Sequence, residues 1–308
     1  MTNTEHVPVP RRQGPRGPQR RFRLARQVLA DPMARLGLAV LVLLVLAAVL
    51  APLLSPMSPL EQRLDKANVA PAWLGGNGGG VFGTDQLGRD LFSRVVHALR
   101  TSLLFGLVTA TGCAVIGTVL GIVGGYYNRF LGPVLMRLAD MQFSVPFFAV
   151  GVALVAVMGP GLRNLAIALM LWSWTGFART IFSTVVQMKG SDHVVAVRTH
   201  GATALRIMAR HILPNVIGPI IVLWATLAGG FILAESALSL LGLGVQPPDF
   251  SLGAMLAGAR ASIATAWWAV FFPGLAIGLS VMGFQLLGDA VRDAVNPAES
   301  SRTDPDLS

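Results

Sequence analysis

The chain has 308 residues, of which 53% are hydrophobic and only 13% charged, with a formal net charge of +9. Its mean hydropathy is +0.63, and its charge share is about half the ~25% of an ordinary soluble domain, which excludes a soluble enzyme and points to the membrane. The positive excess does not indicate nucleic acid, because the arginines sit at the N-terminus and between apolar stretches, as membrane anchors do.

Residues 1–20, rich in Pro, Gly, Arg and Gln, read as a disordered basic tail, and 21–30 mix basic and apolar residues as an interfacial helix does. Eight arginines fall in the first 35 residues: Arg11, Arg12, Arg16, Arg20, Arg21, Arg23, Arg26 and Arg35. Asp31 followed by Pro32 reads as an N-cap and first helical position opening a first span over 31–54, inside the charge-free window 36–60. A cleaved signal peptide is the competing reading, but the apolar run exceeds the ~7–15 residues of such signals.

Residues 55–98 form a first external segment, with Pro52, Pro56 and Pro59 at its start. The run Gly75-Gly76-Asn77-Gly78-Gly79-Gly80 lacks the spacing of a phosphate loop and reads as a flexible linker. Further windows free of Asp, Glu, Lys and Arg lie at 101–128, 141–162, 211–234 and 261–288, each above the ~20 residues that span a bilayer. A sixth candidate, 164–178, spans only if Arg179 lies near a membrane face, where its stem reaches the headgroups.

In the second span Gly117, Gly121 and Gly125 recur at four-residue spacing, a small-residue face for helix packing, with a hinge as the alternative. Tyr126 and Tyr127 close that span and Trp267 and Trp268 open the last one, as interfacial belts do. The single Cys113 permits no intrachain disulfide. Six alternating spans put 17 basic residues on the N-terminal side and 7 on the other, so both termini are expected in the cytoplasm. The expectation is an all-α polytopic membrane protein with six transmembrane helices, a five-helix core over 99–290 and a cytoplasmic tail over 291–308.

Little in the chain carries chemistry. There is no zinc-type Cys/His cluster and no GxxxxGK[ST] phosphate loop, and the two lysines, Lys66 and Lys189, follow no such pattern. No catalytic residue, metal or cofactor is therefore expected. Asp140, at the entry of the third span, is placed to pair with Arg137 on one helix face. Glu235 is the one carboxylate well inside an apolar stretch: a pathway or gate candidate, with pairing or capping near Ser236 and Ser239 as the alternative.

The most informative segment is the cytoplasmic loop 183–215. Its order predicts a short helix capped by Ser191 or Asp192 and stopped at Gly201, then a second helix leading to Pro214. Bearing Arg198, Arg206 and Arg210, two such helices make a docking knob; a solvated re-entry loop is the alternative.

This loop resembles the EAA loop of ABC importer inner-membrane subunits, whose pattern runs E-A-A, three residues, G, and ends in I-L-P. Ala196, Gly201, Ile212, Leu213 and Pro214 match, and the His211–Asn215 ending is similar to the peptide branch. Val195 stands where the family has Glu, and Val197 replaces the second Ala. The segment from Phe82-Gly83-Thr84-Asp85 through Gly88-Arg89-Asp90 to Ser93-Arg94 is similar to the signature before the second span of dipeptide and oligopeptide permeases. Residues Glu235 to Pro248 are similar to the external edge of their fifth span, with Leu252 before Gly253 replacing a common Trp.

The resemblance implies a type I ABC importer permease with the MetI-like fold, of the dipeptide/oligopeptide/nickel family, in its second-permease branch. It further implies a bacterial inner-membrane location and a heterodimer with a homologous permease. Two cytoplasmic ABC ATPase subunits would hold ATP and Mg, an extracytoplasmic binding protein would deliver substrate, and lipid but no nucleic acid would surround the chain. The residues implied for ATPase coupling are Asp192, Val195, Ala196, Arg198, Gly201, Ala202, Arg206, His211 and Pro214. Peptides are the implied cargo, with nickel complexes or glutathione as alternatives on the same architecture. An ion-coupled carrier or channel acting alone is the alternative of another class.

Overall fold

The structure, a computed structural model, describes residue 28 and residues 30–295. The expected disordered tail, most of the expected interfacial helix and the end of the 291–308 tail lie outside the described residues.

Helix α1 (Pro32–Val49) begins with Asp31 in extended backbone, its Oδ1 accepting from the Met33 N–H at 3.0 Å. Pro32 fills the first helical position, where no N–H is needed. A single turn, α2 (Ala51–Leu54), comes next. Helix α3 (Leu91–Tyr126) has 36 residues, about 54 Å at 1.5 Å per residue, so it overshoots a ~30 Å hydrocarbon core. After it come α4 (Leu131–Phe143), α5 (Phe147–Met158), α6 (Leu162–Lys189) and α7 (Asp192–Thr199). Then α8 (Ala204–Ile207) passes through a π turn (Met208–Ile212) into α9 (Leu213–Leu240), succeeded by α10 (Leu252–Ala259) and α11 (Trp268–Val295).

Among the described residues five helical segments are long and apolar enough to cross a membrane, and six if the bent pair α4–α5 counts as one span. Packing directions decide between these numbers. Gly112 faces Met170, Gly117 meets Phe177 and Ala178, and Gly125 meets Val185, so α3 and α6 run parallel. Two parallel neighbours in succession require a return crossing between them, and only α4–α5 is available to make it. The other pairs are antiparallel: Gly106 meets Ile232 between α3 and α9, Gly229 meets Phe284 between α9 and α11, and Gly37 meets Leu286 between α11 and α1. The alternation therefore puts the start of α1, the ends of α3 and α6 and the end of α11 at one face of the molecule, the entry face.

Four sequence expectations change here. The third crossing is not a continuous helix over 141–162: α4 and α5 meet at 92° across Ser144–Pro146. Pro146 has no N–H to donate and pushes Val145 out of helical backbone, so the helix stops there. The 12-residue α5 covers only about 18 Å, and the inclined α4 supplies the rest. The sixth candidate is longer than its charge-free window of 164–178, since α6 runs unbroken from Leu162 through Arg179 to Lys189. The Arg179 charge is met by Asp140, which pairs with Arg179 rather than Arg137 because α4 turns that face toward α6. Finally, the five-helix core begins at Leu91 rather than 99, and α1 packs into the same apolar cluster through Leu41, Leu44 and Ala48.

At the opposite face, residues 55–90 fold into a cap instead of a loose segment. Phe82 stacks on Phe272 with centroids 3.9 Å apart, and the Trp268 indole N–H donates to the Thr84 carbonyl at 3.1 Å. Trp268 is thus buried and spent on the cap, while Trp267 remains exposed as an interfacial residue would be. The glycine run is ordered: Ala72 N–H donates to the Gly80 carbonyl at 2.9 Å, and Gly76 and Gly79 approach the Ala70 carbonyl so closely that a side chain would collide with it. Close backbone approach, not flexibility, explains these glycines.

Candidate functional site

The predicted knob exists as a structural unit at the entry face. Helix α7 starts after Ser191, whose hydroxyl donates back to the Met188 carbonyl at 2.7 Å instead of capping α7. Gly201 ends the turn with φ +80°, a left-handed conformation that favours glycine. The Gly201 N–H donates to the Arg198 carbonyl at 3.1 Å and the Ala202 N–H to the Val197 carbonyl at 3.4 Å, closing the helix end.

Beyond Gly201 the chain departs from the expected second short helix ending at Pro214. Thr203 caps α8, its Oγ1 accepting from the Arg206 N–H at 3.4 Å. The backbone then continues without a stop through the π turn into α9, so Pro214 lies inside a continuous helical rod. In α register the Pro214 ring would collide with the Arg210 carbonyl. The π turn, in which the Leu213 N–H reaches back to the Met208 carbonyl, shifts the register just before the proline.

The knob has its own apolar core. Val194 is 3% exposed and packs with Ile181 and Val185 of α6, Ile207, Ile212 and Val216 of the α8–α9 rod, and Ile122 of α3. Val197 and Ala202 lie against this cluster half-buried. The outward face carries Asp192, Val195, Ala196 and Arg198, with Arg206 and the 73% exposed Leu205 beside it. Val195, at the position where a glutamate was expected, is half exposed, so this spot is apolar rather than acidic. His211 is half-buried in the π turn, and Gly201, Arg206 and Pro214 are exposed. The nine predicted loop residues thus lie on α7, on the turn after it and on the rod from α8 to Pro214, with a small apolar cluster packed beneath α7 and α8.

Glu235 lies far from them, near the opposite end of α9, and is fully buried. Its Oε1 accepts from the Ser239 hydroxyl at 2.7 Å and from the Ser251 hydroxyl at 2.6 Å, while among the described residues Oε2 has no hydrogen-bond partner. Ser251 is also the N-cap of α10, accepting from the Ala254 N–H at 3.1 Å. The Leu252 N–H donates to Ser102 of α3 at 3.2 Å. Glu235 therefore ties α9 to the start of α10, and the Leu252–Ser102 bond ties α10 to α3. Gly253 sits directly against Ser236, where any side chain would strike the α9 backbone.

The glycines of α3 lie in the α3–α6 contact. A Cβ on Gly121 would come 2.8 Å from the Ala178 carbonyl, and one on Gly125 would come 2.7 Å from Val185 Cβ. Beside this contact Asp140 and Arg179 form an ion pair that is 57% and 49% exposed in the isolated chain, with Arg179 over the Phe143 ring at 4.6 Å.

One network was not singled out residue by residue from the sequence. Asp85 accepts from the Leu87 and Arg89 N–H groups at 2.9 and 3.0 Å and pairs with the Arg89 side chain at 2.7 Å. Arg94, 5% exposed, donates to the Pro59 carbonyl at 3.0 Å, sits 3.6 Å from Asp85 and lies 4.5 Å from the Phe250 ring centroid. Asp90 caps α3, accepting from the Ser93 N–H at 2.8 Å. The Asp-x-x-Gly-Arg-Asp-x-x-Ser-Arg spacing is the signal: two aspartates placed to cap turns and two arginines in reach of the first.

Comparison with known proteins agrees with this architecture. Residues 117–300 match the family described as "Binding-protein-dependent transport system inner membrane component". Residues 21–71 match the "N-terminal TM domain of oligopeptide transport permease C". The chain is 42% identical over 262 residues to the di/tripeptide transport system permease protein DppC of Pseudomonas aeruginosa, covering 85% of this chain and 86% of the relative. It is 37% identical to the dipeptide transport system permease protein DppC of Bacillus subtilis, with 88% and 84% covered. The glutathione transport system permease protein GsiD of Pectobacterium atrosepticum is 36% identical, with 94% and 95% covered.

Proposed function

The chain belongs to the family of binding-protein-dependent transport system inner membrane components, and we propose that it is one of two homologous permeases forming the pathway of an ATP-driven peptide importer. Relatives named for di- and tripeptides support peptides as cargo, and the relative named for glutathione, itself a tripeptide, keeps the site within peptide chemistry. The observation that carries the coupling role is the knob: a short helix on its own apolar core, presenting Val195, Ala196, Arg198 and Leu205 at the entry face. We place that face in the cytoplasm, where the arginine-rich N-terminus belongs by the positive-inside rule.

In this mechanism α7 seats in a groove of a cytoplasmic ATPase subunit. Because Val195 is apolar, the seat is made by packing there, and the exposed Arg206 supplies the charge complementarity. Closure of the two ATPases draws the knobs of both permeases together and turns the spans outward; hydrolysis and release reverse it. Such a rigid-body switch is biased by the different affinities of the two states for nucleotide. ATP and Mg are held by the partners, and this chain contributes no catalytic group.

The partner permease covers the face formed by α4 and α5. On these helices only Gly132, Ala139, Gly151 and Val155 are buried, and Leu138, Met141, Phe143, Phe148 and Val157 are open. The extracytoplasmic binding protein docks on the opposite face, where the 55–90 cap and α10 lie. The test is reconstitution of the chain with its partner permease, both ATPases and the binding protein in liposomes. ATP-dependent dipeptide uptake is expected; uptake by this chain alone, driven by an ion gradient and indifferent to ATP, would establish the secondary-carrier alternative.

A further inference from the structure

At the entry face a cleft of about 410 Å³ opens between the end of α3, the 127–131 link, the end of α6 and α7. Three cations line it, each from a different element: Arg129 from the link, Lys189 from α6 and Arg198 from α7. Among the described residues none of the three forms an ion pair. The carboxylate nearest in sequence, Asp192, lies at the other end of α7 from Arg198.

Lys189 is held in place by the protein yet keeps donor capacity. Its ammonium donates to the Tyr126 carbonyl at 2.6 Å and to Asn128 Oδ1 at 3.2 Å, which uses two of its three N–H groups. It also stands 5.5 Å from the Tyr126 ring centroid. The rim is aromatic: Tyr127 is 46% exposed and Phe130 77% exposed, the latter directly beside Arg129. Three cations within a cleft call for an anion, and amphipathic aromatics at the ends of spans mark the depth of lipid headgroups.

We propose that this cleft binds the phosphate headgroup of an anionic phospholipid of the cytoplasmic leaflet. Arg129 and Lys189 hold the phosphate from the fixed core and Arg198 holds it from the knob, while Phe130 lies along the acyl chains. A basic pocket between transmembrane helices on the cytoplasmic side suits such a ligand, and an arginine fork matches phosphate oxygens in pairs. The bound lipid then braces α7 against the α3–α4 link, making the knob's posture depend on membrane composition. This rests on the importer reading in one respect only, the cytoplasmic placement of the entry face.

The assembled transporter, purified in mild detergent, is assayed by native mass spectrometry for retained lipid, and then in nanodiscs of phosphatidylcholine with and without phosphatidylglycerol. Wild type is expected to retain phosphatidylglycerol. Arg129→Gln with Arg198→Gln weakens retention by about fivefold for each cation lost, and Arg129→Lys with Arg198→Lys, which keeps the charge but loses the fork, falls between that variant and wild type. Equal retention by wild type and the glutamine variant overturns the proposal, as does a wild type carrying only zwitterionic lipid. Displacement of the lipid by millimolar inorganic phosphate alone marks a phosphate-ion site and overturns the lipid assignment. Lipid seen only after the ATPase subunits are removed means that carboxylates of the ATPase fill the cleft, and overturns it too. ATP-dependent uptake is measured on the same wild-type preparation. Its absence refutes the importer reading while leaving the lipid result to stand or fall alone.

Discussion

Gly201 offers the sharpest test of how the knob works. Its φ of +80° lies in the left-handed region, and an added Cβ would find no atom within 4 Å. Substitution there meets no steric obstacle, so its cost is purely that of the backbone. For an L residue this is about 1–2 kcal/mol, highest for a β-branched side chain and lowest for asparagine. The knob's core meets the main one only through the half-buried Ile220, so the cost falls on the α7–α8 unit rather than on the whole fold. The ratio of ordered to disordered knob should therefore drop by a factor of about 5–30 in Gly201→Val and far less in Gly201→Asn. The assay is peptide-stimulated ATP hydrolysis and uptake by the reconstituted complex, with assembly checked by co-purification of the ATPases. Gly201→Val should insert normally but lose most stimulated hydrolysis, and Gly201→Asn should keep most of it. A valine variant with normal stimulation would refute the claim that the left-handed turn sets the knob's posture.

The packing sets three further outcomes. Glu235→Gln keeps an oxygen to accept from Ser239 and Ser251 and should leave uptake near normal, whereas Glu235→Leu strands two buried hydroxyls, about 1–3 kcal/mol each; thermal melting of the complex measures the difference, and a large uptake loss in a well-assembled glutamine variant would mean a gate role instead. Gly121→Leu forces α3 from α6, costing about 1–3 kcal/mol or more, while Gly176→Leu, whose Cβ faces open space, is tolerated; expression and melting of both variants in membranes compare them. Arg94→Met removes the bond to the Pro59 carbonyl and the contact with Phe250, so the 55–90 cap should become several times more sensitive to externally added protease, and unchanged digestion would argue against Arg94 as its clasp.

Much of the fold was legible because a bilayer imposes simple demands on sequence. Charge-free stretches longer than the hydrocarbon core, the Asp31–Pro32 start and the arginine asymmetry need no tertiary information, and the spans came out close to where those signals put them. The knob was legible too, because an octet stopped by a glycine is a local pattern, although the expected side-chain cap from Ser191 or Asp192 does not form. Its continuation was misjudged for the opposite reason: a proline ordinarily ends or starts a helix, and the π turn that lets the rod run through Pro214 depends on backbone register. The cap was missed because glycine-rich sequence looks alike whether it is loose or packed, and only the Ala70 carbonyl beneath Gly76 and Gly79 distinguishes the two.

The low charge content by itself determined that this chain lives in lipid, with most of its ionisable groups kept for the loops, the tail and the two faces. It could not decide which partners the remaining charges would find. Asp140 has Arg137 one helical turn away in sequence yet pairs with Arg179 on another helix, and Arg129, Lys189 and Arg198 converge on one cleft from three separate elements. Spacing along a chain fixes neighbours within a helix, but contacts between helices depend on the 92° bend at Pro146 and the parallel approach of α3 and α6. Only the packed structure sets those directions.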